Sequence, residues 1–128
     1  MKLLLDTHIF LWFIVGDLKL GSKARLLIED AANEKFVSAA SLWEITVKHS
    51  LGKLNLSDDF DVLFSKQLEI NGFEMLPIKT THLSKLISLP FYHRDPFDRL
   101  IAAQAISENM QIVSVDEMFD SYKIIRHY

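Results

Sequence analysis

The sequence predicts an α/β fold: a central parallel sheet of four to five strands flanked by helices on both faces. Three observations lead there. Short apolar runs alternate with helix-like stretches from end to end of the 128 residues. Nothing resembling a linker, repeat or low-complexity segment interrupts that alternation. The length suits one domain, residues 1–128, with a core of useful size.

Taken in order, Lys2–Leu5 reads as the first strand. Asp6 and Thr7 break the run, and Asp is a good N-cap for an apolar helix over Thr7–Val15 that Gly16 ends. Ser22–Asn33 places Ala24, Leu27, Ile28 and Ala31 on one face, an amphipathic helix with Ser22 as its expected cap. Phe36-Val37-Ser38 is a second strand, followed by helices over Ser41–Leu51 and Asp58–Asn71, stopped at Gly52 and Gly72. Phe73–Ile78 is the third strand and Thr80–Leu89 a helix ended before Pro90. Asp95–Asn109 is the most apolar helix, with Asp95 at the cap and Pro96 at the first helical position. Gln111–Val115 is the fourth strand, and Tyr122–Arg126 a fifth. Trp12, Phe13, Trp43 and Phe97 are expected in the core or against a partner.

Composition narrows the function. Hydrophobic residues make up 49% and charged residues 24%, as in ordinary globular proteins. A formal charge of -3 excludes a molecule that attracts nucleic acid through its overall field. With no cysteine there is no disulfide or thiolate zinc site, which suits a reducing compartment, and the five histidines form no HExxH pattern. Met1-Lys2-Leu3-Leu4-Leu5 begins like a signal peptide, but Asp6 and His8 break the run and no small-x-small cleavage site follows. The stretch is too short and polar to span a bilayer, so a cytoplasmic protein is expected.

Asp6, Glu44, Asp98 and Asp116 each follow a short apolar run and open a helix-like stretch. In a parallel sheet such junctions share the edge where ligands bind. Each acid also has a structural explanation. Asp6 and Asp116 suit N-caps, Ser41-Leu42-Trp43-Glu44 matches a capping box, and Asp98 suits the first turn of a helix. The set is more informative than its members. Two carboxylates about 4 Å apart repel by roughly 4 kcal/mol at an effective dielectric near 20, more than a capping bond worth about 1 kcal/mol returns. If the four converge, a divalent cation belongs among them. All-oxygen ligands favour Mg²⁺ or Mn²⁺, which suits phosphodiester hydrolysis.

Read in order, these residues resemble the PIN domain family, and more narrowly VapC-type toxins of bacterial toxin–antitoxin pairs. Leu3-Leu4-Leu5-Asp6-Thr7-His8, Ser41-Leu42-Trp43-Glu44-Ile45 and Ser114-Val115-Asp116 carry part of the resemblance. The specific part is the continuous string from His93-Arg94-Asp95-Pro96-Phe97-Asp98 through Arg99-Leu100-Ile101-Ala102-Ala103-Gln104-Ala105. The resemblance covers essentially the whole chain. It implies a PIN-like domain, a metal-dependent endoribonuclease leaving 5′-phosphate and 3′-hydroxyl ends, a cognate antitoxin and a homodimer. It implies a metal site of Asp6, Glu44, Asp98 and Asp116, with Ser114 and Thr7 in support and Asp95 as auxiliary acid or cap. Arg94, Arg99, His93 and Lys48 are candidate RNA contacts, although Arg99 equally suits an ion pair.

Rival readings are a phosphatase, a DNA nuclease and a non-catalytic PIN-like binding module. A haloacid-dehalogenase-like phosphatase requires an Asp two residues after Asp6, where this chain has His8. A receiver-like phosphoacceptor requires a late Lys, where it has Ser114 and Asp116. Intact acids at all four positions argue against a module that only binds.

Overall fold

In a computed structural model, which describes residues 1–128, five parallel strands form one sheet in the order β3-β2-β1-β4-β5. The strands are β1 (Lys2–Leu5), β2 (Glu34–Ser38), β3 (Phe73–Leu76), β4 (Gln111–Val113) and β5 (Arg126–His127). Helices α1 (Thr7–Val15) and α2 (Ser22–Glu29) join β1 to β2, and α3 (Ala39–Ser50) and α4 (Phe60–Asn71) join β2 to β3. Helices α5 (Thr80–Ser88) and α6 (Pro96–Glu108) join β3 to β4, and a 3-10 helix over Glu117–Tyr122 precedes β5. Each of the first three crossovers is therefore a helix pair. No helix is long and apolar enough to cross a membrane.

Alternation along the strands builds two cores. Leu3, Leu5, Val37 and Val113 pack with Ile9, Phe10, Ile28, Ile45 and Phe64 on one face. Leu4 and Ile112 face the other way, onto Ile101, Ala102, Ala105, Phe119 and Tyr122. Register pairs Leu4 with Phe36 and Ile112, which holds the strand ends level.

Element ends differ from expectation for local reasons. The third strand stops at Leu76 rather than Ile78, because Pro77 has no N–H to donate to the ladder. Helix α2 ends at Glu29, and Asp30 turns the chain by accepting from the Ala32 amide at 2.9 Å. Its N-cap is Gly21, so Ser22 is the first helical residue and not the cap. The third helix starts at Ala39 because Ser38, the last residue of β2, caps it directly through the Ala40 amide at 3.0 Å. The expected Ser41–Glu44 capping box therefore does not form. The fifth strand is shorter and later than expected because Tyr122 ends the 3-10 helix and Lys123 turns at φ 62°.

Gly72 caps α4 at φ 67°, and a Cβ there would meet only the Lys35 Nζ at 4.0 Å. Replacing it by Ala thus tests backbone strain without a clash. The expected result in urea unfolding is a loss of about 1–2 kcal/mol, the cost of left-handed backbone for an L side chain.

Candidate functional site

The topology reverses between β1 and β4, since the chain leaves β1 toward β2 on one side and returns to β4 on the other. Ligand crevices in open α/β sheets lie at such a point, beyond the strand C-termini. Asp6 immediately follows β1, and Ser114 and Asp116 follow β4. The Asp6 amide donates to the Val113 carbonyl at 3.0 Å, which ties the two strand ends together.

Side chains complete that tie. Ser114 Oγ donates to Asp6 Oδ2 at 2.7 Å and accepts from the Asp116 amide at 3.0 Å. Asp6 Oδ1 takes the Thr7 amide at 2.7 Å, which caps α1. Burial raises the Asp6 pKa, and the bonds from Ser114 and Thr7 only partly offset this. Thr7 Oγ1 also donates to Ser41 Oγ at 2.9 Å, joining α1 to α3.

Asp116 Oδ1 accepts from the Met118 amide at 3.0 Å, and Oδ2 meets His93 Nε2 at 2.7 Å. Tyr122 Oη accepts from the His93 amide at 3.3 Å and lies 2.9 Å from His93 Nδ1. Burial works against charge on Asp116, but the His93 and Met118 bonds prevail and lower its pKa.

Two helices bring the remaining acids. Glu44, on the second turn of α3, is buried and accepts from Lys48 Nζ one turn on at 2.7 Å. That bond is the main cause of a raised Lys48 pKa, with burial opposing it and the charges of Glu44, Asp95 and Asp98 adding to it. Asp98 lies in the first turn of α6. Burial, then repulsion from Asp6 and Asp95 and a weaker one from Glu44, push it up to about 7, with His93 acting the other way. Ligand atoms of His93, Asp98 and Asp116 all lie within 4.8 Å of one another. Asp6 joins them through Ser114, and Glu44 through its field on Asp6 and Asp98. The four acids thus reach one edge by two routes: Asp6 and Asp116 from strand ends, Glu44 and Asp98 from the N-terminal turns of α3 and α6. Asp98 follows a helix and a loop, not a strand.

A model of the PIN domain family matches residues 3–125. The chain belongs to the PIN domain family. Solved structures similar to this PIN domain include VapBC2 from Rickettsia felis, bound to a DNA fragment from their promoter. That chain is 20% identical at a TM-score of 0.72, with 99% of this chain and 98% of that chain covered. FitAcB from Neisseria gonorrhoeae is 17% identical at 0.66, covering 98% and 96%. A toxin–antitoxin complex from Klebsiella pneumoniae is 14% identical at 0.59, covering 89% and 86%. No curated protein matches the chain.

Several side chains of this PIN domain sit differently from their sequence reading. Arg99 is buried, neither exposed for a contact with RNA nor paired with an acid. Its guanidinium donates to the carbonyls of Pro90 at 3.0 Å, Leu86 at 3.1 Å and Leu89 at 3.4 Å, under the Phe91 ring. It closes the C-terminus of α5 and shapes the loop before α6. His93, also read as a nucleic-acid contact, is buried and held by Asp116 and Tyr122. Lys48 is committed to Glu44, whereas Arg94 stays exposed. Asp95 accepts from the Phe97 and Asp98 amides at 2.8 and 3.4 Å, so it is the α6 cap as well as a source of repulsion for Asp98. Trp43 is 59% exposed, not core, and leans edge-on against Phe97. Tyr122 was invisible in the sequence: it lies 29 residues from His93 in a short 3-10 helix without periodicity.

A groove of about 590 Å³ runs between α1, α3, α4 and the segment joining α3 to α4. Thr7, His8 and Lys48 line it together with the apolar Trp12, Leu54 and Leu56.

Proposed function

We propose that this PIN domain is a metal-dependent endoribonuclease, the toxin of a toxin–antitoxin pair. Residues 1–128 act as one unit, in the cytoplasm. The observation that carries the reading is the clustering of Asp98 with Asp116 and His93, whose ligand atoms lie within 4.8 Å of one another beside the Ser114–Asp6 bond. A carboxyl held near 7 by burial and by neighbouring acids is a group short of positive charge. Lys48 is occupied by Glu44, and His93 donates to Asp116. The donor set therefore fits a divalent cation held by Asp6, Glu44, Asp98 and Asp116. Oxygen donors of this kind favour Mg²⁺, with Mn²⁺ also accepted. When bound, such a cation supplies activated water and stabilises the leaving oxygen of a phosphodiester.

The chain's own residues prepare the site. Ser114 orients Asp6, His93 orients Asp116, and Lys48 offsets the charge of Glu44. The nearby N-terminus of α6 points its dipole at the same edge. A DNA nuclease would use the same groups. RNA is favoured by the likeness to toxin–antitoxin PIN domains rather than by the acids themselves.

Partners follow from the neighbours and the surface. The VapBC2 and Klebsiella pneumoniae structures are complexes, which supports an antitoxin. The apolar groove along α1 is a suitable seat for its segment. Exposed Ile87 and Phe91, at the end of α5 and just after it, suit a second copy of the chain.

The decisive experiment expresses the chain without a partner and maps 5′ ends of cellular RNA, with Asp98→Asn as control. New 5′-phosphate ends that require divalent cation and vanish in the variant are expected. Identical end maps from the two proteins would refute the nuclease reading. A separate expectation concerns His93. His93→Ala leaves Asp116 unsupported and lowers Mg²⁺ affinity about 10- to 100-fold in calorimetry, the usual effect of losing a residue that orients a ligand. Tyr122→Phe, which keeps the ring and removes the Nδ1 partner, has a smaller effect of the same sign.

A further inference from the structure

We propose that Trp43, braced by Phe97, is a stacking platform for one nucleobase of single-stranded RNA beside the cation site. The inference rests on the nuclease reading above and adds a substrate contact to it.

Two helices repeat the same register. On α3 the pair is Trp43-Glu44, and on α6 it is Phe97-Asp98. The two helices pack together. In each, an aromatic residue stands one position before an acid. The acids sense one another electrostatically, and the aromatics meet at 5.0 Å between ring centroids with 74° between planes. An aromatic pair thus lies alongside the acidic pair across the same helix crossing. A nucleotide whose phosphate is held at the acids carries its base within reach of the neighbouring rings.

Exposure and charge fit a base. Trp43 is 59% exposed, while Phe97 is half-buried and serves as its support. An edge-on contact with Phe97 leaves much of the indole surface open. Scattered exposed apolar residues are common and need no explanation. What separates Trp43 from Leu18 or Ile87 is its place next to Glu44 on α3 and against Phe97, the neighbour of Asp98. The chain carries a net charge of -3, so broad phosphate attraction is not available to it. Contacts that do not depend on charge must contribute, and base–aromatic stacking is the one that tolerates any base. Exposed Arg94, just before the α6 cap, adds a local cation. In an A-form duplex the bases are stacked and closed to a side chain. The platform therefore selects loops, ends and unpaired segments.

The test uses the full chain and a ten-nucleotide oligouridine. Trp12→Phe makes Trp43 the sole tryptophan, and Ca²⁺ in place of Mg²⁺ slows cleavage while leaving all four acids in place. Oligouridine is expected to quench and shift Trp43 fluorescence, and the same sequence in a duplex with oligoadenosine is not. In the active chain, Trp43→Ala raises KM about 5- to 150-fold, the range set by loss of one stack, and Trp43→Phe restores most of it. Mg²⁺ affinity stays at the wild-type value, which a disturbed α3 would not allow. A single abasic position in the oligonucleotide should weaken wild-type binding as much as Trp43→Ala does, with no further loss when both are combined. Flat fluorescence with an unchanged KM in Trp43→Ala overturns the platform while leaving the nuclease standing. Absence of any RNA cleavage by wild type overturns the nuclease instead, and the fluorescence titration alone then decides the platform. A Trp43 signal that ignores RNA and moves only with a co-purifying protein also overturns it, in favour of a protein interface.

Discussion

Asp98→Asn is expected to remove RNA cleavage, to remove tight divalent binding and to make the cation-free protein more stable. The first two effects follow from its place among the acids. Loss of a metal-stabilised transition state is worth several kcal/mol, so cleavage falls by roughly 10³-fold or more. The third effect is less intuitive and more diagnostic. Asp98 titrates near 7 in the folded chain, against an ordinary value of 3.8. Between those values the folded state binds the extra proton. This group's contribution therefore improves as pH falls from above 7 toward 4, and its full cost is felt above 7. Because Asp98 is only half-buried, solvent screening reduces that cost to roughly 1–2 kcal/mol. Asn carries no charge and removes both the cost and the pH slope. Added Mg²⁺ reverses the order. Wild type gains about 2.7 kcal/mol at a hundredfold excess over Kd, and the variant gains little. Melting curves of both proteins at pH 5 and pH 8, with and without Mg²⁺, should cross in this way. Equal stabilities under all four conditions would mean that Asp98 is only a first-turn helix acid.

Gln104→Leu is expected to produce the largest loss of stability, although Gln104 touches none of the acids. Its side chain is fully buried. Oε1 accepts from the Ser38 hydroxyl, and Nε2 donates to the Pro77 carbonyl at 3.2 Å with His82 Nδ1 at 3.4 Å. One amide thus joins the end of β2, the end of β3 and helix α5. Leucine has a similar size but leaves the Ser38 hydroxyl and the Pro77 carbonyl without partners. Each buried orphan costs about 1–3 kcal/mol, so a total near 3 kcal/mol is expected in urea unfolding. Ser38 also caps α3, the helix that carries Glu44 and Trp43, so RNA cleavage should weaken with it. Adding Ser38→Ala should cost less than the sum of the two single changes, because it removes one orphan. Strict additivity would show that the Ser38–Gln104 bond carries no coupling.

Much of this molecule was legible in its sequence, and the exceptions have physical causes. Helix α1, bounded by Asp6 and Gly16, and helix α6, with Asp95 and Pro96 at its start, form as read because cap and stop are local signals. The strand order was not legible, since it is decided by long-range packing. The Ser41–Glu44 capping box failed because an equally good cap, Ser38, stands three residues earlier and ends a strand. Arg99 looks like an RNA contact in a one-dimensional motif, but its carbonyl partners lie up to 13 residues away. Trp43 looks like core by composition, and only the fold shows it exposed against Phe97. The acids were visible as a set, while the hydrogen bonds that orient them, from Ser114, His93 and Tyr122, required the fold.

The most direct test is whether the four acids bind a divalent cation together. Mn²⁺ titration of the isolated chain, read by the loss of the free-ion electron paramagnetic resonance signal, measures this without RNA. Saturable binding is expected, displaced by Mg²⁺ and weakened at least about tenfold in Asp6→Asn and in Asp98→Asn. Unsaturable binding, or binding that neither substitution changes, would contradict a site shared by the four acids.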